Sequence, residues 1–170
     1  MRETDSHIYF FTHTDPFSNM YPIQFEYVRH TGGLFGVDDI FKVHSSEQAY
    51  MLEKAYMFKD TEKVIEIKKS ITGTEAKKIA STIKKFDKNI WNSHKYDIMY
   101  DICLQKFAKN KPLLNILHKT GNKILVEASP YDKYWGVGIS KHDDNILIEK
   151  NWLGLNKLGE ILMDIRRNTI

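Results

Sequence analysis

Ser45-Ser46-Glu47-Gln48 divides the chain into two kinds of sequence, and that division limits the folds open to it. The tetrapeptide fits a capping box: the Ser45 hydroxyl accepts from the backbone amide of Gln48 while the Gln48 side chain reaches back. Before it the sequence is mostly β-like. His7 to Phe11 reads as a short strand and Ile23 to Val28 as a second. Ile40 to Val43 reads as the second strand's partner in a hairpin or meander, with Thr31-Gly32-Gly33 supplying the turn chemistry. The loop bounded by Pro16 and Pro22 carries aromatics that read as exposed.

After the box, helices follow. The first runs to about Phe58, with Ala49, Leu52 and Tyr56 as its buried stripe and Glu47, Met51, Lys54 and Phe58 on a neighbouring face. Thr61 is placed to cap a second helix through Val64, Ile65 and Ile67. Thr72-Gly73-Thr74-Glu75 offers a second capping box for a third helix. A fourth is expected from Asn92 to Ala108 with Trp91 at its entry, and a fifth has Pro112 in its first turn and Gly121 as its stop. Strand character returns in Ile124-Leu125-Val126 and in Ile146-Leu147-Ile148, before an amphipathic closing helix from Leu158 to Arg167. Strands first, helices through the middle and short strands late predict an α+β fold and argue against alternating βαβ units. At 170 residues the chain suits one compact domain over 1–170, with a core from about 7 to 167, a small N-terminal sheet region, a mainly helical middle and a C-terminal helix.

Several function classes fall away. Walker-type loops, strand-linked GxGxxG, GxSxG, HExxH and CxxC are missing. The single Cys103 cannot form an internal disulfide and sits in an apolar helical pattern, so it reads as packing. No apolar run approaches the roughly 20 residues of a membrane span, and the N-terminal segment is polar; a cytoplasmic protein with no membrane partner is expected. The net charge of +3 suits a phosphate-bearing ligand without demanding nucleic acid. Lys68, Lys69, Lys77, Lys78, Lys84 and Lys85 read as a solvated face. His142-Asp143-Asp144 is the tightest His/carboxylate grouping, but hydrated loops share that composition. No metal and no cofactor are expected.

Chemistry concentrates elsewhere. Glu127 to Gly138 follows the strongest apolar run and crowds acids, aromatics and glycines into one loop. In it, Asp132 could bond a sugar hydroxyl, or close an Asx-type turn, while Trp135 could stack on a base. Glu47 lies in the first turn of its helix, where the dipole favours an ionised carboxylate suited to stabilising positive charge; acids also occupy such positions simply because they favour the helix. Lys54 is two turns on, roughly 10 Å up the axis, so only its long side chain could reach a shared ligand.

Five ordered segments carry a resemblance. They are Phe17-Ser18-Asn19-Met20-Tyr21-Pro22; Ser46-Glu47-Gln48-Ala49-Tyr50 with Lys54; Trp91 with Met99 and Lys106-Phe107; Glu127-Ala128 through Asp132 and Trp135-Gly136-Val137-Gly138; and Gly154-Leu155-Asn156-Lys157-Leu158-Gly159 with Leu162 to Arg166. Together, from about Phe10 to Arg166, the chain resembles the YbiA-like, or NADAR, family. The resemblance implies a compact α+β domain that hydrolyses N-glycosidic bonds at ribose. The implied substrates are phosphoribosylamino-pyrimidine intermediates of riboflavin synthesis or ADP-ribose attached to guanine, as a free nucleotide or in nucleic acid. It makes Glu47, Asp132 and Lys54 the catalytic candidates and Phe17, Asn19, Trp91, Trp135 and Gly136 the substrate-binding ones, with Lys106 and Arg166 as phosphate candidates. Gln48-Ala49-Tyr50 departs from the more frequent His-Tyr-Phe type of triplet, which bears on substrate choice more than on reaction type.

Cleaving a ribosyl C–N bond develops positive charge at the anomeric carbon and needs a protonated leaving base. One of Glu47 and Asp132 would stabilise that charge and align water while the other holds ribose hydroxyls, and Trp91 and Trp135 would wall the base. In a variant, Lys54 attacks the anomeric carbon or the opened aldehyde and forms a Schiff base. A non-catalytic ADP-ribose- or nucleotide-binding module is the rival reading.

Overall fold

A computed structural model describes residues 1–30 and 39–169; the Thr31-Gly32-Gly33 turn lies outside the described residues. The element order is β1 (Arg2–Glu3), β2 (His7–Phe10), β3 (Phe25–Arg29), β4 (Asp39–Val43), α1 (Ser46–Met57), α2 (Thr61–Lys69), α3 (Gly73–Ala80), α4 (Lys88–Ala108), α5 (Lys111–Lys119), β5 (Ile124–Glu127) and α6 (Lys157–Asn168), with two short 3-10 turns at Asp144–Leu147 and Glu149–Asn151. This is the α+β arrangement the sequence order predicts. Internal contacts divide it into two compact units, Met1–Ser18 with Lys111–Ile170, and Asn19–Asn110. Among the described residues no helix is long and apolar enough to cross a membrane.

In the first unit β2 lies between β1, antiparallel, and β5, parallel, with His7 opposite Ile124 and Phe10 opposite Glu127. All four β2 residues are buried, as a continuous apolar strand in a central position should be. Leu158, Ile161, Leu162 and Ile165 are buried at helical spacing on α6, which packs on β5. Tyr9, Val126, Ala128, Val137, Ile139 and Ile146 form a buried cluster, with Trp152 against it.

Two expectations fail in this unit. Ile146-Leu147-Ile148 is no strand: the Asp143 carboxylate accepts from the Asn145 amide and starts a 3-10 turn that buries Ile146 and leaves Leu147 and Ile148 exposed. Local side-chain bonding has outcompeted the β-branched pattern. Phe17 is not exposed but 1 % accessible, its ring edge-on to Phe10 at 5.7 Å. The Asp15 carboxylate, accepting from the Phe11 and Thr12 amides, folds the loop inward.

In the second unit β3 and β4 pair antiparallel, Phe25 opposite Val43 and Arg29 opposite Asp39. The inward residues Phe25 and Tyr27 are buried and Glu26 is exposed. The side-chain amide of Gln105 on α4 supplements the ladder, accepting from Val28 N and donating to Val28 O, both at 2.8 Å. Helix α1 is in contact with α2, α3, α4 and β4, and every residue from Ser46 to Glu53 is buried. The expected stripe is therefore too narrow, and Tyr56 is only half-buried, stacked on Phe41 at 5.6 Å.

Ser45 caps α1 as expected, accepting from Gln48 N at 3.2 Å, but Gln48 Oε1 reaches one residue further back than a capping box requires, to His44 N. The α3 box repeats the shift: Thr72 Oγ1 accepts from Glu75 N, and Glu75 Oε2 from Ile71 N. Thr61 does not cap α2; Asp60 does, its carboxylate accepting from both Lys63 N and Lys84 N. Asp87 caps α4 a turn before the expected start, which places Trp91 inside the first turn. The six lysines Lys68, Lys69, Lys77, Lys78, Lys84 and Lys85 are all exposed.

Candidate active site

Glu47, Lys54 and Trp91 come together within the second unit. Glu47, 6 % accessible, is the second residue of α1, and its backbone N–H donates to Asn19 O at 3.0 Å, satisfying one of the free amides of the helix start. Lys54 points its amine across two aromatic rings, 4.2 Å from the Phe86 centroid and 6.0 Å from that of Trp91. Trp91 in turn lies 4.9 Å from Tyr50 at 52°. Burial pulls the Lys54 pKa below the ordinary lysine value; the Glu47 carboxylate opposes that shift and the Lys77 cation reinforces it. The result is a partly desolvated amine over two aromatic rings, within the electrostatic influence of the Glu47 carboxylate.

Asn19 anchors this arrangement through its other groups. Its Nδ2 donates to Met99 Sδ at 3.3 Å and its Oδ1 accepts from Cys103 Sγ at 3.9 Å, both on α4. Burial pushes the Cys103 thiol up to about 12, so it is inert packing, as its apolar surroundings predict.

Within the first unit, Asp132, Trp135 and Gly136 share one self-bonded loop. Ser129 Oγ accepts from Tyr131 N and Asp132 N, and Asp132 Oδ1 accepts from Tyr134 N and Trp135 N, both at 2.8 Å. Asp132 therefore makes the Asx-type turn. The Trp135 ring is half-buried and meets Tyr134 edge-on at 4.8 Å. At Gly136 a Cβ would fall 2.7 Å from Glu127 O and 3.0 Å from Ser129 Cβ, so only glycine fits.

The NADAR domain family matches residues 9–169, nearly the whole of both units. The chain belongs to the NADAR family. The chain is similar to an N-glycosidase of Acanthamoeba polyphaga mimivirus, 33% identical over 173 residues that cover 96% of each chain. Caenorhabditis elegans protein irg-1 is 36% identical over 155 residues, 88% of this chain and 73% of that one. A maize chloroplastic riboflavin biosynthesis protein is 36% identical over 107 residues, 61% of this chain but 15% of the longer protein. The fold is that of E. coli YbiA, whose NMR structure superposes with a TM-score of 0.70 at 24% identity, over 98% of this chain and 86% of that one.

Other candidates of this NADAR chain have mainly internal partners. The Phe17 ring is enclosed against Phe10. Lys106 is 1 % accessible, with its amine 5.7 Å from the Tyr21 ring and 5.2 Å from that of Phe107. Arg166 donates to Thr120 Oγ1 and Lys123 O, tying down the connection between α5 and β5, and burial lowers its pKa. Asp144 pairs with Arg2 at 2.8 Å, and its neighbour Asp143 caps a turn. Asn156 stands in one of the five resembling segments, but the sequence assigns it no role. It is buried in the left-handed region at φ 53, its Oδ1 accepting from Glu127 N and its Nδ2 donating to Leu125 O, while its own N–H donates to Gly136 O. Asparagine tolerates that backbone, and its amide braces the strand from which the Asp132 loop departs.

Proposed function

We propose that this NADAR protein is an N-glycosidase that hydrolyses a ribosyl C–N bond, with ADP-ribose on a guanine base as its substrate class and a phosphoribosylamino-pyrimidine as the second candidate. The observation that carries it is the Lys54 amine, partly desolvated over Phe86 and Trp91 and within the field of Glu47. A lowered amine pKa leaves a larger fraction of the neutral, nucleophilic form at a given pH than an ordinary lysine has. As the C–N bond breaks, its electron pair leaves with the base, which takes up a proton, and positive charge grows at C1. The Glu47 carboxylate stabilises that charge. The neutral Lys54 amine attacks C1 as the base departs and loses a proton, the C1–O4 bond then opens with O4 taking up a proton to give an imine between C1 and the lysine nitrogen, and one water hydrolyses the imine to return the amine and free the sugar. Trp91, buried and tilted against Tyr50, forms the floor of this aromatic setting under the Lys54 amine.

One observation favours a non-catalytic nucleotide-binding role: Asp132, the second carboxylate candidate, holds backbone amides with Oδ1. A mass-spectrometric panel separates the readings. The protein is incubated with ADP-ribosylated guanosine, a phosphoribosylamino-pyrimidine and NAD, and released base is measured, with borohydride added to trap an adduct on Lys54. Base release and a trapped Lys54 adduct are expected. Binding by calorimetry without product on long incubation selects the module, and normal turnover by Lys54→Ala removes the covalent step.

A further inference from the structure

We propose that Gly73 is a positioning residue for Glu47, an inference that rests on the glycosidase reading above. Gly73 is the first residue of α3, following its cap Thr72, and it is buried. Its backbone is outside the left-handed region, which among the glycines of the described residues is occupied by Gly121 and Gly138. Conformational freedom therefore does not explain a glycine here, and helix propensity argues for alanine instead. Space explains it. A Cβ at this position would lie 2.8 Å from Met20 Sδ, 3.1 Å from Glu47 Cβ and 3.4 Å from Ser45 Oγ.

These three neighbours differ in how far they can give. Met20 Sδ is near the end of a flexible chain and can turn aside, and 3.4 Å to Ser45 is ordinary contact. Glu47 Cβ is fixed to the first turn of α1. That turn is held by Asn19 O on Glu47 N, by Ser45 Oγ on Gln48 N and by Gln48 Nε2 on Ile67 O. A methyl group on residue 73 would press on the root of the Glu47 side chain, and a few tenths of an ångström there grow along Cγ and Cδ to the carboxylate. The absent side chain at 73 thus lets α3 close against α1 while leaving the Glu47 carboxylate where α1 directs it. Since a misplacement of about 1 Å can cost 10²-fold in rate, a partial displacement should cost about tenfold.

The test is a double-mutant cycle on release of guanine from ADP-ribosylated guanosine. Gly73→Ala is expected to lower kcat about tenfold with KM within twofold, the protein remaining folded at the assay temperature as judged by its thermal melt. In a Glu47→Gln background the same change should have no further effect, because the group it displaces is already disabled. An unchanged kcat, or a repeated tenfold loss on top of Glu47→Gln, would overturn the proposal, the latter by making Gly73 a packing residue whose effect does not pass through Glu47. If the wild-type protein releases no base, the glycosidase reading falls by itself. Gly73 is then judged by the NMR titration of ¹³C-dimethylated Lys54, its signal assigned by its loss in Lys54→Arg. The Lys54 amine feels the charges of Glu47 and Lys77, so a displaced carboxylate moves its midpoint in Gly73→Ala, and an identical midpoint overturns the positioning role.

Discussion

Lys54 sits where two opposing influences meet, and the sign of their sum sets a pH dependence. Burial, with help from Lys77, outweighs the pull of Glu47, so the folded-state pKa lies below 10.5. The unfolded chain then binds more protons than the folded one between the folded and unfolded pKa values, and stability rises with pH across that window. Turnover that needs the neutral amine should rise through the same folded pKa and reach its plateau below the pH of an ordinary lysine, as a pH–rate profile would record. Lys54→Arg, charged at all accessible pH, should lose the plateau entirely. Glu47→Gln should lower kcat by about 10²–10³-fold, the scale of one lost electrostatic stabiliser, with its denaturation midpoint retained; full hydrolysis by a folded Glu47→Gln protein would remove Glu47 from the chemistry. Asp132 allows a different separation. Asp132→Asn keeps an oxygen for the Tyr134 and Trp135 amides, whereas Asp132→Ala removes it and should cost about 1–2 kcal/mol in urea unfolding. An equal loss from both substitutions would show that the charge, and not the turn, is what the loop requires.

At the level of elements, most helix starts were legible because capping is local chemistry. Ser45, Thr72 and their partners three residues on announce α1 and α3 within a few positions of sequence. Where two cap-forming residues adjoin, as Asp60 and Thr61 do, the pattern does not choose. The carboxylate wins by also taking Lys84 N, an amide 24 positions away. The breadth of burial on α1 was equally hidden, since it depends on four neighbouring elements. Gln105 belongs to this scale as well, an α4 side chain acting as ladder partner for β3. Gln105→Ala should cost about 1–2 kcal/mol in thermal or urea unfolding, and no more, because Val28 is half-buried and water can replace part of what is lost.

Over the whole molecule, the residue types of the site were readable and their neighbours were not. Glu47, Lys54 and Trp91 span two helices separated by α2 and α3, and nothing in spacing alone says that the Lys54 amine lies over Phe86. The ordered segments of the family resemblance supplied the set of residues, and three-dimensional packing supplied the contacts. Asn156 shows the limit most sharply: a polar residue in a Gly-rich segment gave no sign that it braces β5. Asn156→Ala, which loses both side-chain bonds and puts alanine in a left-handed backbone, should cost about 3 kcal/mol in chemical denaturation. Asn156→Gly, keeping the backbone at ease, should cost less; the reverse order would mean that the backbone is not strained. The amide of Gln105 also closes the β3 edge at Val28. By occupying Val28 N and O it satisfies the edge groups of β3 on the side where α4 packs, groups that unpaired would be open to the strand of another molecule. Gln105→Leu should therefore leave the isolated chain folded yet drive slow, concentration-dependent self-association, visible by light scattering well below the melting temperature.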